Sequence, residues 1–340
     1  MKIIFLTLIS LYTISLNAQD ISTLYQKLDS SVVIINVIES KTSGIGNEKE
    51  KVSFGALGSG VLFGDKGEIL TAAHVVNGAD EIAVTFVDGQ QLRAKVIALS
   101  KMADVAIIKI QGHIKNPKPA KLGNSDSTKI GAKVMVIGSP MGLYHSLSVG
   151  YISRKELKES HSSNFSKMEF FQTDAAINTG NSGGPMFNMN GEVIGIVSSI
   201  LSRSGGFEGI GFAATINIIK DLLIEHNNAW LGVDAFYLQG PLANAFNIKQ
   251  GSGVLVQNVT KNSPAYYMGM KGGYINAKLG EVEFVIGGDI LLDIDGHKLD
   301  SPENMVKAVD YFNALEDGDK YTIRVLRNGT IKDLNWRISK

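Results

Sequence analysis

The sequence predicts a mainly β protein in which a strand-rich region is followed by a small α+β domain. Its 340 residues correspond to about two domains. Between Val32 and Phe212 the chain is a succession of short apolar runs, many of them β-branched, bounded by Gly, Asn, Asp or Ser. None of these runs keeps a helical period for long, which favours an all-β sandwich or barrel over a βαβ sheet.

About ten short strands are expected in this region. They are Val32–Ile38, Gly60–Phe63, Ile69–Ala73, Ile82–Val87, Val96–Leu99, Val105–Ile110, Lys133–Ile137, Phe170–Thr173, Glu192–Ser198 and Ile210–Ala214. The segment Gln111–Asp126 contains Pro117 and Pro119 and divides the strands into two halves, so it is expected to connect two barrels. Ahead of the first strand, Ile21–Leu28 is expected to be helical or irregular.

A second unit is expected from Trp230, after a helix at Ile216–His226 that closes the first domain. Its helix at Pro302–Phe312 begins with Ser301 as N-cap and proline at the first position. Its strands are expected at Gly253–Val259, Asp289–Ile294, Lys320–Leu326 and Ile331–Arg337. The sequence therefore predicts a first domain over residues 19–228 and a second over 229–340.

Residues 1–18 are expected to be a signal peptide. Lys2 is followed by an apolar stretch of about 14 residues, and Ala18 is a small residue suited to cleavage. A membrane-spanning helix needs about 20 apolar residues, so an uncleaved anchor or a buried N-terminal helix is the weaker alternative. The sequence contains no cysteine, which suits a periplasmic chain and excludes a thiol nucleophile or a thiolate zinc site.

The composition excludes several other functions. With 33 basic and 33 acidic residues, the chain has no net field that would attract nucleic acid or anionic lipid. It has no Gly-Lys dipeptide and hence no Walker A loop, and no histidine begins an H-E-x-x-H motif. No cofactor and no metal are therefore expected.

Ser182 lies within Gly180–Gly184, which satisfies the G-x-S-x-G pattern. In an α/β-hydrolase this pattern marks a strand-to-helix elbow, and the Asp and His of the triad follow the serine. Only His226 and His297 follow Ser182, and no obvious helix begins after it. The hydrolase elbow is therefore the weaker interpretation.

Two further motifs precede Ser182, namely TAAHVV with His74 and DVAIIKI with Asp104. The order His, Asp, Ser is that of chymotrypsin. Taken singly, His74 could be a core histidine, Asp104 a turn aspartate and Ser182 a turn residue. Their combination in this order predicts a nucleophile, a general base and an orienting acid.

At this point the sequence resembles the trypsin-like HtrA/Deg family of periplasmic proteases, over nearly the whole chain after residue 18. TAAHVV, DVAIIKI and QTDAAINTGNSGGP carry the resemblance. It implies a chymotrypsin-like double β-barrel followed by a PDZ domain. His74 would take the proton of Ser182, Asp104 would orient the imidazole, and the N–H groups of Gly180 and Ser182 would form the oxyanion hole.

Asn181 stands where digestive trypsin-like enzymes carry an acid that pairs with a freed N-terminal amine. Asparagine has no charge for that pair, so activation by zymogen cleavage is not expected. The resemblance implies instead that flexible loops switch the enzyme, and Arg154–Lys167 is the candidate sensing loop, with a plain solvated loop as the alternative. The first-barrel loop Lys41–Ser53 is expected to be short and polar.

No acid precedes Ser182 where trypsin needs one to pair with Lys or Arg, so specificity for those residues is not expected. Specificity for small aliphatic side chains is expected instead. By resemblance, Ile177 and Ile200 line the pocket for the residue before the scissile bond. The substrate backbone is expected to pair as a strand beside Val197 and Ser199. Such extended segments are buried in folded proteins, so unfolded or damaged chains are the expected substrates.

The second domain resembles a PDZ domain, and its carboxylate-binding loop is expected at Trp230, Leu231, Gly232 and Val233, with an interdomain turn as the alternative. Residues 274–286 exceed what a typical PDZ domain needs. Their apolar alternation predicts an added hairpin that could alter or cover the peptide groove. C-terminal peptides are the expected partners of this domain.

The expected function is that of an exported, ATP-independent serine endopeptidase in protein quality control or stress signalling. The family usually forms trimers, here with Leu24 and Tyr25 as candidate contact residues. The alternative is a PDZ-containing chaperone or binding protein with little proteolysis.

Overall fold

The computed structural model describes residues 20–43, 50–101, 103–140, 145–159, 167–200, 202, 206–225, 230–280 and 282–338. The predicted signal peptide at residues 1–18 lies outside the described residues. No helix within these ranges is long and apolar enough to span a membrane.

The first six strands close into a barrel in the order β1-β2-β3-β6-β5-β4. They are β1 (Val32–Ser43), β2 (Glu50–Leu62), β3 (Glu68–Thr71), β4 (Glu81–Thr85), β5 (Gln91–Ser100) and β6 (Val105–Gln111). Two short helices accompany them: α1 (Ile21–Leu28) precedes β1, and α2 (Ala73–Val76) follows β3. Most of the region expected as a polar loop at Lys41–Ser53 is strand, since β1 and β2 pair out to Ser43 and Glu50.

The next strands form a second barrel in the order β11-β8-β9-β10-β13-β12, closed by the β11–β12 pairing, and β7 adds to β12. They are β7 (Lys121–Leu122), β8 (Lys133–Gly138), β9 (Ser146–Glu159), β10 (Lys167–Thr173), β11 (Pro185–Asn188), β12 (Glu192–Ile200) and β13 (Gly211–Thr215). The domain ends with α3 (Ile216–Ile219), which continues as a π-helical turn, Lys220–Glu225.

The first half of the predicted sensing loop is strand rather than loop. Residues up to Glu159 belong to β9 and pair with β10, and the remainder of the loop, 160–166, lies outside the described residues. Sequence reasoning missed β9 because the strand lies at the surface. Its apolar residues Leu147, Val149 and Tyr151 are 38%, 37% and 49% exposed, so no buried run marks it.

Each barrel has its own apolar core, and a third core joins the two barrels. This joint core combines side chains such as Val61 and Ile107 from the first barrel with Phe187 and Ile196 from the second. Leu24 of α1 is 2% exposed within it, so this residue is not available for the trimer contact expected from the sequence. Ala103 of the turn between β5 and β6 and Val105, where β6 begins, also belong to this joint core, so it fixes that turn against the second barrel.

The C-terminal domain is a five-stranded sheet with order β14-β15-β18-β20-β21, to which β19 adds beside β18. A separate antiparallel hairpin consists of β16 and β17. The strands are β14 (Val233–Gln239), β15 (Ser252–Val259), β16 (Ile275–Leu279), β17 (Val282–Ile286), β18 (Ile290–Ile294), β19 (His297–Lys298), β20 (Lys320–Arg327) and β21 (Thr330–Arg337). The helices are α4 (Gly240–Ala245), α5 (Pro264–Tyr267) and α6 (Pro302–Ala314). The expected fold, a double β-barrel followed by a small α+β domain, is confirmed.

Candidate active site

His74 is presented to solvent by α2. Its neighbours Ala72, Ala73, Val75 and Val76 are all at most 4% exposed, whereas the side chain of His74 is 51% exposed. Burial of the four apolar neighbours in the first barrel therefore turns the imidazole outward, which explains why a histidine can stand in an apolar run.

Asp104 lies in the turn between β5 and β6 and has a left-handed backbone, with φ +52°. Aspartate tolerates this conformation better than most residues. Its carboxylate contacts both the backbone and the side chain of His74. It accepts from the backbone N–H of His74 at 3.0 Å, and its Oδ2 lies 2.8 Å from His74 Nδ1. The imidazole is thereby held with Nδ1 toward Asp104 and Nε2 free to face a substrate.

Ser198 completes the surroundings of Asp104. Its hydroxyl donates to Asp104 Oδ2 at 2.6 Å, and Ser198 itself is 6% exposed. Burial acts to raise the pKa of Asp104, but the hydrogen bonds from His74 and Ser198 and the charge of His74 outweigh it. The pKa of Asp104 is therefore lowered.

Ser182 lies in the loop between β10 and β11, and its neighbours fix its backbone. Gly183 has φ +81°, and a Cβ there would meet Thr71 Oγ1 at 2.2 Å, so only glycine fits. The hydroxyl of Ser59 donates to the carbonyl of Gly180 at 2.7 Å, and the N–H of Ser59 donates to the carbonyl of Ser182 at 2.8 Å. Strand β2 thus clamps the loop from the first barrel.

The N–H groups of Gly180 and Ser182 have no hydrogen-bond acceptor among the residues that the structure describes. Gly180 is buried and has φ +103°, outside the range that other residues readily adopt. Buried backbone N–H groups are nearly always paired in folded proteins. Two unpaired N–H groups beside one hydroxyl therefore indicate a place for an oxyanion.

Ser198 is hydrogen-bonded to both Ser182 and Asp104. The hydroxyl of Ser182 donates to the carbonyl of Ser198 at 3.4 Å, and within the described part of the chain it makes no hydrogen bond to His74. The structure thus brings all three predicted triad residues to one site and leaves the Ser182–His74 hydrogen bond unformed. In apo enzymes such bonds are often long or poorly aligned and tighten when substrate binds.

The two residues expected to line the substrate pocket lie in one apolar cluster inside the second barrel. Ile177 is 2% exposed, and Ile200 packs against the same cluster at its edge. Gly211 lies beside them, where a Cβ would come within 2.5 Å of Ile177 Cδ1. Ile177 therefore fills space that a larger substrate side chain would need.

The expectation for the substrate backbone is corrected at Val197. Its N–H donates to the carbonyl of Gly184 at 2.9 Å, and its carbonyl accepts from Gly183 at 2.8 Å. Both groups of Val197 are occupied inside the protein, so it cannot pair with a substrate strand. The carbonyl of Ser198, which accepts the long bond from Ser182, and the exposed Ser199 are the neighbouring groups left as candidates for pairing with a substrate.

In the C-terminal domain, the carbonyls of Leu231 and Gly232 in the predicted carboxylate loop both accept hydrogen bonds from the rest of the domain. Ala265 N–H donates to the carbonyl of Leu231 at 3.0 Å, and Thr260 N–H donates to that of Gly232 at 2.8 Å. Among the described residues the N–H groups of Leu231 and Gly232 have no acceptor. Adjacent unpaired N–H groups of this kind form a concave anion site.

This loop leads into β14, an edge strand whose second edge is unpaired among the described strands. Val233 and Leu231 pack in the same apolar cluster as Ala308 and Phe312 of α6. The hairpin β16–β17 packs in a different cluster, where Phe284 stacks on Phe236 at 5.0 Å. The added hairpin therefore packs apart from the cluster that holds Leu231, Val233 and α6.

The two domains also contact each other near the site. Trp230 packs against the core of the first barrel, and Lys101 Nζ lies 2.6 Å from Asp234 Oδ1. Lys101 belongs to the turn that carries Asp104, whose N–H donates to the carbonyl of Lys101 at 3.3 Å. The start of the C-terminal domain is thus tethered to the turn of the predicted catalytic aspartate.

Sequence reasoning missed Ser59 and Ser198. Nothing in the local sequence distinguishes these serines from the others in strands, because their partners lie 121 and 94 residues away along the chain. Their burial beside Asp104 and Gly180 becomes visible only when the two barrels meet.

The double barrel and the His, Asp and Ser that it brings together define a trypsin-like serine peptidase domain, followed by a domain with a predicted carboxylate loop and an edge strand, β14. Comparison with known proteins agrees. Residues 58–196 match the family described as trypsin-like peptidase domain, and residues 229–338 match the PDZ domain. The chain belongs to the HtrA/Deg family of trypsin-like serine endopeptidases.

The curated relatives of the chain carry names of serine endoproteases. A probable periplasmic serine endoprotease DegP-like of Pseudomonas savastanoi pv. phaseolicola is 38% identical over 296 residues, covering 85% of this chain and 57% of that protein. Another, from Halomonas elongata, is 36% identical and covers 84% of this chain and 56% of the relative. The chain thus spans little more than half the length of these relatives.

Among solved structures, the HtrA-type protease AlgW with a decapeptide is 28% identical, with a TM-score of 0.52, covering 94% of this chain and 98% of the other. AlgW with a tripeptide gives a TM-score of 0.51 at 28% identity, covering 94% and 96%.

Proposed function

We propose that the protein is a periplasmic, ATP-independent serine endopeptidase that cleaves unfolded or damaged chains after small aliphatic residues, in protein quality control or stress signalling. The observation that carries the proposal is the hydrogen-bonded set of His74, Asp104 and Ser198 around Ser182, beside the two unpaired N–H groups of the oxyanion site. The periplasmic names of the relatives and the predicted signal peptide support the location.

The chemistry follows from these groups. Ser182 Oγ attacks the carbonyl carbon of the scissile bond while His74 Nε2 takes its proton. The N–H groups of Gly180 and Ser182 stabilise the resulting oxyanion. His74 then gives the proton to the leaving amine, and the acyl group on Ser182 is transferred to water by the same steps. Asp104 stabilises the imidazolium throughout.

The pocket supports small aliphatic specificity. Ile177 and Ile200 are apolar and offer no counter-ion for Lys or Arg, and Ile177 limits the depth. An extended substrate segment would place its N–H on the carbonyl of Ser198, which would compete with the Ser182 hydroxyl for that acceptor. Substrate binding would thereby free Ser182 to bond His74.

The PDZ domain supports binding of C-terminal peptides. A peptide carboxylate would accept from the N–H groups of Leu231 and Gly232, at the start of a peptide groove that we propose between the edge of β14 and α6. We propose further that the protein forms homotrimers, as the family usually does. Because Leu24 is buried within the chain, such a contact would need other residues.

A second function, that of a peptide-binding chaperone with little proteolysis, is favoured by one observation. Ser182 bonds the Ser198 carbonyl rather than His74, so the nucleophile is not activated by the base in this arrangement. Labelling with a fluorophosphonate, with and without C-terminal peptides, separates the two functions. An adduct on Ser182 supports the peptidase, and its absence in folded, peptide-saturated protein refutes it.

Cleavage-site mapping by mass spectrometry on an unfolded protein tests the specificity. Cuts after Val, Ala or Ile are expected, and Ser182→Ala is the matched control. Frequent cuts after Lys or Arg would refute the pocket assignment.

A further inference from the structure

Two buried side-chain atoms have no hydrogen-bond partner among the described residues, namely His145 Nε2 and Asn181 Oδ1. The side chain of His145 is 5% exposed and Asn181 is 4% exposed. Leaving a buried polar atom unpaired is destabilising, because the atom loses its hydrogen bonds to water without replacing them. Two such atoms in one region therefore need an explanation, and neither is used by the mechanism proposed above.

Both atoms lie around the end of strand β8. Asn181 Oδ1 is 2.8 Å from the position that a Cβ would take on Gly138. The next residue, Ser139, donates its N–H to Ser59 Oγ at 2.9 Å, and its own hydroxyl accepts from His145 N–H at 3.5 Å. Because Ser59 also donates to the carbonyl of Gly180, three hydrogen bonds through Ser139 and Ser59 connect His145 to the oxyanion loop.

His145 is itself held in place. Its Nδ1 lies 2.5 Å from Asp29 Oδ1, and its carbonyl accepts from the hydroxyl of Tyr25 at 2.6 Å. It has φ +47°, a left-handed conformation that a histidine adopts only when its surroundings determine it. Asp29 and Tyr25 are the titratable groups that face His145 in the described residues.

Asn181 occupies the position at which digestive trypsin-like enzymes use an acid and a freed N-terminal amine to shape the oxyanion loop. Here the amide has only a long bond, from Nδ2 to the carbonyl of Ala176 at 3.5 Å. A donor aimed at Oδ1 would fix the side chain and with it the peptide units of Gly180 and Ser182.

We propose that His145, held by Asp29, is a positioning residue for the oxyanion loop, and that its Nε2–H donates to Asn181 Oδ1 in the catalytically competent arrangement. The inference rests on the proposed endopeptidase function. Nδ1 gives its hydrogen to Asp29, so Nε2 carries a hydrogen only in the imidazolium form. The contact is therefore a charge-assisted hydrogen bond from His145 to the amide oxygen of Asn181.

The first experiment compares His145→Leu with His145→Gln. Both variants carry the same left-handed backbone, but glutamine can donate to Asn181 at any pH. For His145→Leu we expect kcat to fall by about 10- to 100-fold with little change in KM, the size of effect that small misplacements cause. For His145→Gln we expect kcat near that of the parent, because glutamine restores a donor to Asn181. The exposed His113→Leu is the matched control.

Two results would overturn the inference. One is a His145→Leu protein with the parent's kcat, fluorophosphonate labelling rate and pH profile. The other is a folded His145→Gln protein as slow as His145→Leu. Asp29→Asn keeps the imidazole but removes the anion that holds it, so a fall in kcat with little change in KM is expected even where His145→Leu fails to fold.

A double-mutant cycle on Tm with His145→Leu and Asn181→Leu tests the contact apart from catalysis. Non-additive changes in Tm are expected, and additive changes contradict the contact. If the parent protein itself never labels with fluorophosphonate, the proposed function fails, and the cycle still decides the contact.

Discussion

The hydroxyl of Ser182 donates to the carbonyl of Ser198, 3.4 Å away, and the hydroxyl of Ser198 in turn donates to Asp104. Ser198 thus serves the nucleophile with its backbone and the aspartate with its side chain. A substrate that pairs with the Ser198 carbonyl takes the acceptor from Ser182, so binding and readiness for attack are linked at one residue.

Replacing Ser198 with alanine should raise the pKa of Asp104 toward its ordinary value of 3.8, because one hydrogen bond to the carboxylate is lost. A hydrogen bond to a charged group contributes about 1.5–3 kcal/mol, so kcat/KM should fall by about 10- to 100-fold. In the parent, the stabilisation from the lowered pKa is complete at neutral pH and is lost as the pH falls through the folded-state value. Kinetics and acid unfolding curves measure both effects. The exposed Ser22→Ala should change neither.

Asp104→Asn should lower kcat by about 10⁴-fold, since an amide no longer selects the imidazole tautomer. Asparagine tolerates the left-handed backbone at this position, so Tm should change little. Parallel kinetics and calorimetry check the prediction. A large fall in Tm would instead show that the lower kcat of Asp104→Asn comes from impaired folding.

Ile177→Val should deepen the pocket by one methylene and shift cleavage toward Leu and Met, with discrimination changing by about 1–3 kcal/mol. The expected cost in stability is about 0.5–1.5 kcal/mol. Ile152→Val removes a methylene from the same cluster away from the pocket and is the control. Cleavage-site mapping distinguishes the two, and an unchanged profile in Ile177→Val would contradict the pocket assignment.

Gly232→Ala should abolish peptide binding at the PDZ domain. Gly232 has φ +82°, and an added Cβ would come within 2.1 Å of Ser263 Cβ. Gly296 has φ +83° with nothing within 4 Å of an added Cβ, so Gly296→Ala carries the backbone strain without the clash. Titration of C-terminal peptides by calorimetry should show lost affinity only in the first variant. Equal affinity in both would remove this loop from the binding site.

Arg327→Met should destabilise the PDZ domain by about 3–5 kcal/mol, because it leaves a buried charge unpaired. Asp289 is fully buried, and Arg327 holds it through Nε and Nη2, both at 2.6 Å. Denaturant unfolding of the full chain measures the loss. The exposed Arg324→Met should lose much less, and adding Asp289→Leu to Arg327→Met should recover much of the stability.

The sequence was sufficient for the fold class because short β-branched runs, glycine-rich turns and a capped helix are local signals. The sequence did not predict strands β9 and β14. Their residues are largely at the surface or half-buried and therefore show no buried run. The predicted site residues came from motifs, and the structure brings them together. At Val197 the prediction was wrong, because the bonds to Gly183 and Gly184 depend on a strand crossing that local sequence does not encode.

The sequence by itself determined which chemical groups are present. They are a hydroxyl, an imidazole and a carboxylate in the motifs of the HtrA/Deg family, with an amide at Asn181 in place of an acid. Only the tertiary structure decided how they are supported. Ser59 and Ser198 reach their partners in the site across 121 and 94 residues of chain, and Asp29 holds His145 across 116. Their roles depend on the packing of one barrel against the other, since burial and hydrogen-bond geometry are properties of the assembled fold.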